Sequence, residues 1–182
     1  SLIEYVTVLF SLVLVLFGIK SLLKVIRHKK DHKLRLIRLA FCLAAVLVGL
    51  FIAGEEISWG QRLLGVETPE ALKETNLQGE INFHNLPGVF DYFDYISLYG
   101  GIYGAFAWVI FRVIKATGTL SKSLLETIRL WVPPWYLTFW FWLTPIFILL
   151  RFRHGIWAWG ELGEPGEMYL MVGLALTWIR NY

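Results

Sequence analysis

Between Glu55 and Asn85 the chain gathers residues whose types could do chemistry: Glu55, Glu56, Ser58, Gln61, Arg62, Asn76, Gln78, Glu80, Asn82, His84 and Asn85. Carboxylates and an imidazole in one segment offer general acid and base groups, and together they offer metal ligands. The candidate catalytic residues are Glu55, Glu56, Glu80 and His84, and the candidate metal ligands are Glu56, Glu80 and His84. Joined by Glu161 or Glu164, they would form a hard, oxygen-rich set. Such a set suits magnesium, manganese, calcium or a carboxylate-bridged iron pair rather than structural zinc. The spacing from Glu80 to His84 is one residue too long for the ExxH pair of di-iron bundles, which weakens the iron version. Arg62 would bind an anionic head group or fork onto a carboxylate. Ser58 is a poor nucleophile candidate because no GxSxG elbow surrounds it. These residues name no cofactor.

The stretch NLQGEINFHNLP, Asn76 to Pro87, adds a periodicity. Asn76, Gln78, Glu80, Asn82 and His84 fall on alternate positions. An extended segment therefore points all five one way, with Leu77, Gly79, Ile81, Phe83 and Asn85 pointing the other. A helix would align only Asn76, Glu80 and His84, and Gly79 would weaken it, so the extended form is expected. The same residues also have a purely structural reading. Gln61, Arg62, Asn76, Gln78, Asn82, Asn85, Glu161 and Glu164 would then satisfy one another in a polar network that holds an irregular loop.

The elements that must position these side chains are membrane spans. Of the 182 residues, 57% are hydrophobic, and the mean hydropathy is +0.57, which places the chain outside the soluble globular range. The expected fold is an all-α integral membrane protein, a single helical domain over residues 1–182. A bilayer core needs roughly 20 apolar residues per helix. Five stretches meet or approach this, at about 2–26, 36–59, 92–114, 130–150 and 165–182, and the segment 55–91 lies outside the bilayer. Gly100 and Gly104 would let a neighbouring helix approach the third span closely. Pro133 and Pro134 suggest an entry turn for the fourth span, and Pro145 a kink. Thr68 as N-cap and Pro69 at the first position would open a short interfacial helix. The lone Cys42 excludes a disulfide framework within the chain.

Orientation follows from the bases. RHKKDHKLRLIR, between the first two spans, holds six Lys and Arg against one acid, so it is expected in the cytoplasm. Arg112, Lys115, Lys122 and Arg129 fall on the same side after two more crossings. The start of the chain would then lie outside and its end inside. From Glu55 to Asp94, on the outer side, there are eight acids against two bases.

The run EEISWGQRLLGVETPEALKETNLQGEINFHNL, with an acidic GELGEPGE helix start downstream, resembles an uncharacterised family of multi-pass bacterial membrane proteins. The likeness rests on Glu55, Glu56, Trp59, Gly60, Gln61, Arg62, Asn76, Gln78, Glu80, Asn82, His84 and Asn85. It implies a bacterial cytoplasmic (inner) membrane and a shared external motif, and it carries no established activity. The function expected is that of an accessory subunit of a larger membrane complex. Its partners would be the lipid bilayer and other membrane proteins, with a lipid, quinone or pigment in the helix grooves, and no nucleic acid. The alternative is a membrane-embedded enzyme acting on a lipid or lipid-linked substrate through Glu and His groups at the non-cytoplasmic face.

Overall fold

The computed structural model describes residues 1–27, 32–76, 79–154 and 163–181. In chain order it places α1 (Leu2–Arg27), α2 (His32–Glu56), a single 3-10 turn at Ser58–Gly60, α3 (Gln61–Leu64), α4 (Glu70–Thr75) and α5 (Phe90–Thr117). There follow α6 (Lys122–Ile128), a 3-10 turn at Trp135–Leu137, α7 (Thr138–His154) and α8 (Gly163–Asn181). No strand occurs among the described residues. Among the described residues four stretches are long and apolar enough to cross a bilayer: Leu2–Arg27, Leu34–Glu56, Asp91–Thr117 and Trp135–Arg153. By this measure the protein is an integral membrane protein. The expected fifth span, carried by α8, does not meet it on composition. Its first two turns hold Glu164, Pro165, Gly166 and Glu167.

The long helices pack as two pairs. In the first, α1 and α2 run antiparallel, with Gly18 against Val46 and the Cys42 carbonyl, and Gly49 against Val15 and the Ser11 carbonyl. A Cβ at Gly49 would lie 2.7 Å from that carbonyl oxygen, closer than atoms approach, so the helix backbones touch directly. In the second pair, Gly101 and Gly104 of α5 lie against Phe141, Thr144 and Pro145 of α7, and a side chain at Gly104 would enter the Phe141 ring. Gly100 faces Leu170 of α8 instead. Pro145 has no N–H, so it leaves the Phe141 carbonyl without its usual helical donor, and Gly101 packs onto that oxygen.

The fourth apolar stretch enters its helix through a turn at the paired prolines, as Pro133 and Pro134 suggest, so the helix starts later than the bound of 130 expected for the span. Residues 130–134 are turn and extended chain, and regular helix begins only after the paired prolines. A proline restricts the residue before it to extended backbone, which delays the helix.

α8 joins the two pairs. Its Met171, Ala175 and Trp178 form one buried cluster with Leu14 of α1 and Cys42 and Ala45 of α2. Its Leu170 and Leu174 pack on a second cluster of Ala105, Leu137 and Phe141. The backbones of α2 and α5 stay apart, bridged by the stacked Phe51 and Phe93 rings at 6.1 Å, and a gap remains between the two helices with α8 at its back.

Charge is divided between the two ends of this bundle. At one end Arg38 donates to Thr127 Oγ1 at 2.8 Å and to the Ser123 carbonyl at 3.1 Å. At the same end Arg180 donates to the Arg129 carbonyl at 2.8 Å. At the other end Glu4, Glu56, Glu164 and Glu167 come together from α1, α2 and α8.

Candidate functional site

After Glu56 the chain reverses through three successive residues in left-handed conformation: Ser58 (φ 47°), Trp59 (φ 54°) and Gly60 (φ 81°). For Ser and Trp this costs roughly 1–2 kcal/mol each, so neighbouring contacts must hold the turn. Trp59 folds back onto Gly54, where a Cβ would lie 2.9 Å from the indole. Its Nε1 donates to Glu55 Oε1 at 2.6 Å. The Ser58 hydroxyl donates to Glu80 and accepts from Asn82 Nδ2.

Glu55 is the centre of the arrangement and is only 2% exposed. Besides Trp59, its carboxylate accepts the backbone N–H of Phe83 at 2.7 Å and of His84 at 2.8 Å. His84 Nδ1 lies 3.3 Å from the same oxygen, and His84 Nε2 lies 3.1 Å from Asn85 Nδ2. Burial disfavours the imidazolium, but the hydrogen bond to Glu55 and the nearby Glu167, Glu55 and Glu164 carboxylates outweigh it. His84 therefore titrates above its ordinary 6.5.

The remaining polar residues close the loop on itself. Gln61 donates to Thr68 Oγ1 and accepts from the Ile81 N–H at 2.7 Å. This use of Thr68 corrects the expectation of an N-cap. Pro69 occupies the cap position of α4 with no side-chain hydrogen bond. Asn76 Nδ2 donates to the Asn82 carbonyl at 2.9 Å and to Asn82 Oδ1 at 2.8 Å, while Asn76 Oδ1 accepts from the Glu80 N–H at 3.3 Å. Gln78 and Glu161 lie outside the described residues, as do the side chains of Arg62 and His154.

The segment is not the extended strand that its alternation suggested. Turns close between Asn76 and Gly79, Phe83 and Leu86, and Leu86 and Val89. Alternation survives in part, for Asn82 is buried while Phe83 is 58% exposed. Asn85, expected on the opposite face, is 4% exposed and joins the network. The reason is local: Gly79 takes a left-handed φ of 65°, and the Asn side chains bend the backbone by bonding to it.

As chemistry, the candidate residues are separated. Glu55 is filled by donors, Glu80 receives Ser58, and His84 is held by Glu55 and Asn85. Glu56 lies instead in the field of Glu167, Glu4 and Glu164. Of the proposed metal ligands, Glu80 is bonded to Ser58 and His84 to Glu55, while Glu56 and His84 both lie near Glu164 and Glu167. Among the described residues no three His, Cys, Asp or Glu side chains gather around a metal position. Ser58 has no contact with His84 that would activate it.

Two features lie outside the candidate site residues that the sequence suggests. Arg151 Nη1 donates to Asp94 Oδ1 at 2.6 Å, a fully buried ion pair joining α7 to α5. Gly163, at the start of α8, leaves the space that the Arg151 guanidinium fills. An acid and a base near the ends of apolar spans were the available signal, since charge at membrane depth requires a partner. The second is Glu167, which faces the gap between α2 and α5. That gap is a cavity of about 550 Å³, walled by Phe51, Phe93, Tyr103 and Trp131, with Ser97 and Glu167 as polar groups. His84 meets the Phe93 ring edge-on, at 6.1 Å between centroids, so the loop abuts the cavity wall.

Comparison of the chain with protein-family models, with curated proteins and with solved structures gives no match in any of the three.

Proposed function

We propose that this chain is an accessory subunit of a larger membrane assembly, contributing a fixed external surface rather than catalysis at its polar loop. The observation that carries this reading is the closure of the network. Glu55, Ser58, Gln61, Asn76, Glu80, Asn82 and His84 bond to one another, to Trp59, Thr68 and Asn85, and to the loop backbone. A satisfied polar network rigidifies the backbone it holds. On its outside the loop presents Leu64, Val66 and Phe83 exposed, in a shape that the network fixes. Gentle purification from native membranes followed by mass spectrometry tests the reading. Partner proteins in fixed ratio are expected, and a lone chain would count against it.

In this reading α8 is a fifth crossing. Its 19 residues extend about 28 Å at roughly 1.5 Å per residue, close to the hydrocarbon thickness. It runs from the acidic end of the bundle, at Glu164, to the basic end, at Arg180. The basic end is then cytoplasmic and the acidic loop external, in the cytoplasmic membrane of a bacterium of the kind the motif resemblance suggests. Cysteine labelling tests the orientation against a quiet background, since Cys42 is buried. A membrane-impermeant maleimide should label Phe83→Cys in intact cells, and Lys122→Cys only after lysis.

One observation favours the alternative of an enzyme acting on a lipid or lipid-linked substrate. The cavity opens beside Glu167 and close to the His84 loop, so a membrane-dissolved molecule would arrive next to titratable groups.

A further inference from the structure

The cavity between α2 and α5 follows from the way the helices pair, and its lining is uneven. Val48, Phe51 and Ile96 border it and are exposed on the apolar outer surface of the bundle, so it opens sideways toward hydrocarbon rather than toward water. Its inner walls are aromatic and aliphatic. The Tyr103 hydroxyl in these walls donates to the Trp131 carbonyl at 3.1 Å, and Trp131 Nε1 is a buried donor without a partner; two further polar groups line the cavity, Ser97 on α5 and Glu167 on α8. Neither makes a hydrogen bond or ion pair among the described residues. Carboxylates at membrane depth are expensive, so one without a protein partner marks a place where something else supplies it.

The surroundings of Glu167 say what sign that partner carries. Charged groups near it are His84, Asp94, Arg151 and Glu164. Glu56 also lies within its field. The cations in this set are already engaged, His84 by Glu55 and Arg151 by Asp94. With those pairs set aside, Glu56, Glu164 and Glu167 remain, all acidic. A phosphate or carboxylate head would meet repulsion from any of these acids in its ionised form, a neutral hydroxyl would supply a hydrogen bond alone, and only a cation would stabilise Glu167 as a carboxylate.

We infer that the cavity binds a membrane-dissolved amphiphile with a protonated amine head, the ammonium seated on Glu167 and Ser97 and the apolar tail lying along Phe51, Tyr103 and Trp131. Its volume is within the range of ordinary small-molecule sites, about 300–1,000 Å³, so it suits a single chain or ring system. The inference holds whether or not the protein joins a larger assembly.

The test uses the full chain in phosphatidylcholine nanodiscs at pH 7, with radiolabelled hexadecylamine as probe and empty nanodiscs as background. Saturable binding of one amine per chain is expected, at least tenfold tighter than hexadecanol, with hexadecanoic acid excluded. Glu167→Gln should weaken amine binding at least tenfold and bring it level with the alcohol. Glu167→Asp should retain the preference for amine, and the exposed Glu74→Gln should leave binding unchanged. Folding of each variant is checked by circular dichroism and size exclusion. Retention no greater than that of empty discs, equal affinity for amine and alcohol in the wild type, or undiminished amine binding by folded Glu167→Gln would each overturn the inference.

Discussion

Glu55 and Glu56 are adjacent, yet one turns toward the loop and the other toward α1 and α8, because successive helical residues differ by about 100° in direction. Glu55 is a structural carboxylate with donors on both oxygens. Glutamine in its place would set an amide NH₂ against N–H groups. Glu55→Gln should lose about 1–3 kcal/mol in unfolding experiments in detergent. Glu56→Gln, which replaces a carboxyl group standing among Glu4, Glu164 and Glu167 by a neutral amide, should be neutral or stabilising in the same assay. His84 gives a pH dependence. Its proton is bound more tightly in the folded protein than in the unfolded chain, so its contribution is fully present below its ordinary 6.5. That contribution disappears as pH rises through the higher folded value. Unfolding measured from pH 5 to 9 should show wild-type stability falling over this window relative to His84→Gln, which lacks the group.

Among the elements, those whose cause is local were legible in sequence, and those whose cause is a distant partner were not. The long apolar runs gave the α1, α2, α5 and α7 helices, and Pro133 and Pro134 gave the turn before α7. Gly100 and Gly104 indicated a close helix approach, although the sequence had no means of assigning one to α8 and the other to α7. The polar loop was legible as a network but not as a shape. Alternation reports an extended chain only where backbone groups have no better partner, and here Glu55, 29 positions from His84, supplies one. The left-handed Ser58 and Trp59 were not legible, because nothing in either residue favours that conformation. Two substitutions probe the contacts between α5 and α7. Gly104→Val should destabilise by about 1–3 kcal/mol through overlap with Phe141, and Phe141→Leu should restore part of the loss. Asp94→Asn or Arg151→Met alone should cost about 3–5 kcal/mol by stranding a buried charge, whereas the double replacement should recover most of it. A double-mutant cycle by thermal unfolding reads the coupling.

The molecule as a whole consists of two helix pairs that meet chiefly through α8. This is why the least apolar of the long helices sits where it is most enclosed. Its buried Gly163, Gly166 and Gly173 admit Arg151, Ile148 and Phe141, so neighbouring side chains, rather than its own, supply the apolar surface there. In the chain α8 also comes after both pairs, which has a consequence for biogenesis. The pairs emerge from the ribosome before the helix that joins them, and each must wait in the bilayer with acyl chains against the faces that later meet α8. Completion then requires those lipids to be displaced as α8 arrives, bringing Gly163 to the Arg151–Asp94 pair and Glu167 to the gap beside α2. Assembly of this protein is therefore ordered in time, and its interior polar groups find their final surroundings only in the last step.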